Sequence, residues 1–287
     1  MLRALITAAL VLATGAAPEP AKVKPAAVDS SGRVLTSDHR SSPNFDDAAE
    51  RQLLALANQS RARAGAPPLR LDPGMTRAAR AHVDLMVQQQ HLSHQLEGEP
   101  SLPRRLADAT DLHLDHAGEN VVLEMTAEGA HEQLMLSPPH RENLLDPGYN
   151  VAGFGAIRAG DRLYVVEDFG HSVPAYTAGE TEETIVGAVS RLRSAAHLPE
   201  LEWKLDSALR DAVCSMARED RLGTRSMHEL AQRYSVVRYT NLHPEVLPAN
   251  ATRWITDHRF KSLGVGVCYA RTRTFPSGVY WVGLAFY

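Results

Sequence analysis

Cysteine is scarce in this sequence, with two among 287 residues, Cys214 and Cys268, both in the second half. That is too few for a disulfide framework. In an oxidising compartment the two can pair, and they can equally be two unrelated small apolar residues. Basic excess is missing too. With 30 Lys and Arg against 34 Asp and Glu, the net charge is −4, so the chain has no electrostatic footprint for nucleic acid. Beyond its first residues it lacks an apolar run of the roughly 20 residues that a bilayer anchor needs. Catalytic signatures are absent as well: no Gly-x-Ser-x-Gly elbow and no phosphate-binding glycine loop. His131-Glu132 and His228-Glu229 begin like the zinc-protease helix, but Met135 and Gln232 stand where its second His belongs. Cys214 has no evident base partner.

What is present suits a soluble globular protein. An apolar content of 44% can fill one or two cores, and the length allows two domains of about 100–150 residues. Met1-Leu2-Arg3, the apolar run Ala4 to Thr14 and the small residues Ala13 to Ala17 read as an export signal over 1–17. Residues 18–43, rich in Ala, Pro, Ser, Lys and Asp, read as a disordered lead segment.

A first helix is expected from a cap at Asn44, with Phe45, Ala49, Leu53, Leu56 and Ala57 on its apolar line and Gly65 and Pro67 ending it. Asp72-Pro73 starts a second, whose face carries Met75, Ala78, Ala79, His82, Val83 and Met86. His82 is therefore expected to be a packed histidine. Thr126 to Leu136 reads as another helix, interrupted by Ser137-Pro138-Pro139. Val121 to Leu123 reads as a short strand, and Val151 to Arg158 with Leu163 to Phe169 as a hairpin. After a Ser/Pro/Thr/Gly/Glu loop the order helix, helix, hairpin recurs. Asn58 to Leu71 parallels Ser190 to Trp203, and Leu71-Asp72 parallels Leu205-Asp206. Gly153-Phe154-Gly155 parallels Gly264-Val265-Gly266, and Tyr164-Val165-Val166 parallels Tyr280-Trp281-Val282.

The first half holds polar residues that the second lacks: Ser93-His94, Gly118-Glu119-Asn120, and Ser137-Pro138-Pro139-His140-Arg141-Glu142-Asn143. Two imidazoles and a carboxylate from separate elements can converge on one divalent cation. The pairs His91/His94 and His113/His116 read as surface histidines, so His91 and His113 are not expected to be ligands.

These motifs, in this order and with the closing Tyr164-Val165-Val166-Glu167-Asp168-Phe169, resemble the CAP superfamily over residues 48–170, and particularly its bacterial secreted branch. That superfamily includes cysteine-rich secretory, antigen 5 and pathogenesis-related proteins and is defined by the SCP-like extracellular domain. The resemblance implies an α+β fold, an α-β-α sandwich around a small antiparallel sheet, here followed by a degenerate second copy. With the export signal, the lead segment and the internal repeat, the expected organisation is signal peptide 1–17, lead segment 18–43, CAP domain 44–171, linker 172–182 and degenerate CAP-like domain 183–287. The family cavity is lined by two His and two Glu, which bind a divalent ion in several members. Carried over, His94, Glu119 and His140 occupy three of those positions, with Zn²⁺ the expected cation. Leu134 stands where the family has a Trp, and Ser137 where its second Glu would be. Asn120 is expected to fix the loop around Glu119.

Family members are linked to lipids or sterols, metals and partner proteins. The expectation is thus a secreted or periplasmic, non-enzymatic binding protein with a divalent-cation site. Its expected partner is a lipid, a sterol or an envelope protein. The alternatives are a metal-dependent hydrolase using the same cleft, and an envelope interaction module whose cleft is vestigial.

Overall fold

The structure, a computed structural model, describes residues 44–287. The expected signal peptide and lead segment lie outside them. Helix α1 (Asp47–Ala64) starts at Asp46, whose side chain accepts from the Ala49 N–H, two residues beyond the expected cap. Acids in its first turn, Arg61 and Arg63 in its last and left-handed Gly65 complete it. Strand β1 (Arg70–Leu71) leads to α2 (Pro73–Gln89), capped by Asp72 with proline in its first turn, as expected. Then come α3 (Leu102–Ala109), β2 (His113–Glu124), α4 (Ala127–Leu136), α5 (Pro138–Leu145), β3 (Val151–Ala159) and β4 (Arg162–Val173).

The sheet order is β1-β3-β4-β2, with β1 parallel to β3 and the other pairs antiparallel. Leu53, Ala57, Leu134 and Leu144 pack with Phe154, Val165 and Phe169 on one face. On the other face α2 brings Ala79, Val83 and Met86 to Val121, Ile157 and Val166. A Cβ on Gly153 or Gly155 would collide with the α2 backbone at Met75 or Ala79, so these glycines let the helix lie directly on the sheet. The result is the α-β-α arrangement of an α+β protein.

Two local readings change. Strand β2 runs the 12 residues His113–Glu124 rather than 121–123, because polar residues on it hide its period while it pairs with β4 along its length, apart from an irregularity at Asp115. Ser137-Pro138-Pro139 ends α4 but also opens α5, since proline is well placed in a first turn.

The second half contains α6 (Ala178–Ala195), β5 (Glu202–Lys204), α7 (Ser207–Glu219), α8 (Arg225–Ala231), β6 (Ser235–Asn241), α9 (Thr252–Ile255), β7 (Ser262–Ala270) and β8 (Val279–Phe286). Its sheet has the order β5-β7-β8-β6, with β5 parallel to β7. Most of the expected linker 172–182 is structured: β4 ends at Val173 and α6 starts at Ala178. Thr177 and Glu180 form a capping box there, a helix start concealed among loop-type residues. Matched at Gly153 and Gly264, the strand pairing sets Tyr164 against Trp281, one residue beyond the sequence match. Cys214 on α7 and Cys268 on β7 form a disulfide with Cα atoms 5.2 Å apart. Among the described residues, no helix is long and apolar enough to cross a membrane.

Two buried arginines repeat one device. Arg61 donates to the carbonyls of Pro67, Leu144, Asp146 and Tyr149. Arg193, its match in the sequence repeat, donates to those of Pro199, Ile255 and Asp257.

Candidate functional site

Edge strand β2 is where the two faces of the first sheet meet. His94 reaches it from the loop after α2, and His140 from α5 on the opposite face. With Leu102, Glu119, Pro139 and Asn143 they line a cleft of about 630 Å³. The rings lie 6.2 Å apart, centroid to centroid, and 24° from parallel.

Each ring is held by its Nδ1 edge. His94 Nδ1 donates to Glu119 Oε1 at 3.0 Å, because an ionised carboxylate only accepts. His140 Nδ1 lies 2.8 Å from Ser137 Oγ, so Ser137 supports the imidazole from the position where the family places a Glu. Among the described residues, neither Nε2 makes a hydrogen bond, and the His94 side chain is 55% exposed. Burial, and then the neighbouring His94, hold the His140 pKa below its ordinary value, which favours the neutral ring.

Behind the cleft stands a buried ionic set. Arg105 Nη2 pairs with Glu119 Oε2, and its Nη1 lies 2.8 Å from Glu99 Oε2. Glu99 Oε1 is 2.8 Å from His82 Nδ1, and His82 Nε2 faces the Ser93 carbonyl at 2.9 Å. His82 is packed as expected, with 0% exposure, and its Nδ1 lies between Glu99 and Arg105, whose Nη1 is 2.9 Å away. Sequence reasoning missed Glu99 and Arg105. Glu99 follows Gly98 in a loop, and the i, i+3 face of two-turn helix α3 is too short to mark Arg105 as a buried arginine.

Asp168 lies opposite Glu119 in the β2–β4 pairing and is fully buried. Neither of its carboxyl oxygens has a hydrogen-bond partner. Burial, and then the Glu119 charge, push its pKa well above the carboxylate range, so its protonated form can donate to Glu119. Glu167, on the other face, is raised to about 7 by burial against an opposing hydrogen bond from Asn120. Asn120 sits in a strand rather than a loop. Its Nδ2 donates to the His140 carbonyl at 3.0 Å, tying β2 to α5, while Asn143 Nδ2 donates to the Glu119 carbonyl at 3.2 Å.

The three sequence-predicted residues therefore share one cleft, but Glu119 stands behind His94, with both oxygens engaged. Among the described residues, no group of three His, Cys, Asp or Glu is arranged to hold a metal ion. Three further histidines of the first half lie elsewhere: His113 stacks on Tyr269, His116 stacks on Tyr149, and His131 Nε2 meets Ser60 Oγ at 2.8 Å.

The family model of the cysteine-rich secretory proteins, CAP, matches residues 54–169. The uncharacterized protein YkwD of Bacillus subtilis (strain 168) is 29% identical over 126 residues, 44% of this chain and 49% of the relative, so the chain spans about half the length of that curated relative. An outer surface protein from Borrelia burgdorferi is similar in structure with a TM-score of 0.42 and 15% identity, over 46% of this chain and 100% of that one. An extracellular SCP-domain protein from Bacillus anthracis gives 0.40 and 23%, over 44% of this chain and 41% of that one. Na-ASP-1 gives 0.45 and 9%, over 87% and 91%.

Proposed function

Residues 54–169 belong to the CAP superfamily, and on that premise we propose that the protein is an exported binding protein whose cleft takes its ligand at His94 and His140. One observation carries this reading: both rings are fixed through Nδ1 and leave Nε2 free toward a cleft of about 630 Å³. Neutral imidazole nitrogen suits Zn²⁺, and the carboxylate behind His94 is the outer partner that orients a ligating imidazole and strengthens it as a donor. A bound cation supplies a Lewis-acidic point with open positions for a polar ligand group. Glu119, held by His94 and Arg105, is poorly disposed as a general base, which favours binding over turnover.

Calorimetry with Zn²⁺ tests the reading. His94→Ala and His140→Ala should each abolish measurable binding, and Glu119→Gln should weaken it roughly 10- to 100-fold through its loss behind His94. Equal affinity in wild type and both alanine variants would overturn it.

The second half we read as a degenerate copy of the first. Supporting this are the shared strand order, the matched Arg61 and Arg193, the matched buried acids Glu50 and Glu182 beneath Arg80 and Arg210, and the caps Asp72 and Asp206.

A further inference from the structure

The second half touches the first along the stretch between Arg105 and Glu119, the two partners of the buried ion pair. Arg271 donates through Nη1 to the Ala107 carbonyl, and through Nη2 to those of Thr110 at 2.7 Å and Leu112 at 3.4 Å. Tyr269 stacks on His113 with ring centroids 3.9 Å apart and planes 10° from parallel. His243 Nε2 lies 2.8 Å from Asp115 Oδ2, whose other oxygen is 2.7 Å from His171 Nδ1.

Helix α3 needs such support. It has only 8 residues and no side-chain cap at Ser101, and a helix this short is not stable without tertiary contacts. Its last carbonyls lack intrahelical donors. Arg77 of the first half serves Ala109 at 2.7 Å, and Arg271 serves the flanking ones, a cation at the end of the helix that favours positive charge. Arg105 projects from this helix toward Glu119, and Glu119 orients His94.

We propose that the second half is a clamp that positions the cleft of the first, with Arg271 holding the end of α3 so that Arg105 stays on Glu119 and Glu119 on His94. Arg271 is a positioning residue and touches no ligand. The clamp gives a task to the half that lacks the His94, Glu119 and His140 set, and it goes beyond the binding assignment.

The test uses the full chain without added metal or ligand, so its result is independent of whether the cleft binds one. Imidazole ¹⁵N spectra report which nitrogen of His94 carries the proton, and amide exchange reports the order of α3. In Arg271→Met, amide exchange at residues 105–110 should rise about tenfold, as loss of a charged hydrogen bond implies, and His94 should shift from the Nδ1-protonated form toward the Nε2-protonated one. Arg271→Lys should fall between Met and wild type, and Arg273→Met should match wild type. An unchanged His94 signal in Arg271→Met overturns the proposal, whether or not α3 loosens. Should Arg271→Met fail to fold, Arg271→Lys decides on the same readings: a partial His94 shift supports the clamp, and a wild-type signal removes it.

Discussion

The two sheets share one strand order but are built from opposite materials. Matched at Gly153 and Gly264, the pairing places Glu119 and Asp168 of the first sheet where the second has Val236 and Ala285, and Asn120 and Glu167 where it has Val237 and Leu284. Strands β6 and β8 contain no Asp or Glu at all. His82, matched through the caps of α2 and α7, has Met216 as its counterpart, and both are fully buried. The second core is thus the apolar solution to the same topology. Burying charge costs several kcal/mol per ion unless partners compensate, so the first half retains a burden its scaffold does not require. The polar core lies directly behind the cleft histidines.

The strongest way to break this contrast is to remove the central cation. Arg105→Met leaves Glu99 and Glu119 facing one another without it, and should destabilise the protein by about 3–5 kcal/mol in urea unfolding. Replacing the set together, as His82→Met, Glu99→Gln, Arg105→Met, Glu119→Val and Asp168→Ala, should recover most of that loss and weaken Zn²⁺ binding at least as much as Glu119→Gln does. If the combined variant is no more stable than Arg105→Met alone, the two cores are not alternative solutions to one fold.

A smaller effect separates the halves by pH. The Glu167 carboxyl titrates at about 7 in the folded protein, against 4.5 ordinarily, chiefly because it is buried. With the folded value raised, its contribution is fully present below pH 4.5 and is lost as pH rises through about 7. The loss amounts to roughly 3 kcal/mol. Unfolding free energies at pH 5 and pH 7.5 should show at least most of that fall in wild type, and Glu167→Gln should reduce it by about 2 kcal/mol, leaving the share of buried Asp168. An equal slope in the variant would place the pH dependence elsewhere.

The sequence made the scaffold legible where local chemistry is strong. The Asp72-Pro73 helix start, the alternating hairpin and the matched halves all act within a few residues or repeat in order. The cleft histidines were legible only through family resemblance, because Ser93-His94 and His140 meet across a sheet edge that no spacing reveals. Glu119 was found, but its place behind His94 depends on Arg105, and Arg105 depends on α3, a helix too short to leave a period. Strand β2 was mostly missed because its polar residues face partners from other elements. The disulfide stayed open because pairing is decided by the approach of α7 to β7, a tertiary fact.

The smallest effect concerns the caps, where the two halves should nearly agree. Asp72 accepts from the Met75 N–H at 2.8 Å, and Asp206 from the Leu209 N–H at 3.0 Å, so each satisfies the same orphan donor at the start of equivalent helices. Replacing such a cap by alanine costs about 1 kcal/mol. Asp206 carries one further duty, since Tyr287 donates its hydroxyl proton to the other carboxylate oxygen. That phenol, partly desolvated and beside a carboxylate, has its pKa raised, so it remains a donor throughout the neutral range. Asp206→Ala strands it and should exceed Asp72→Ala by about 1 kcal/mol, an excess that Tyr287→Phe should erase. Equal losses for the two caps in thermal unfolding would show that Tyr287 finds water instead, and that at this position the halves are energetically the same.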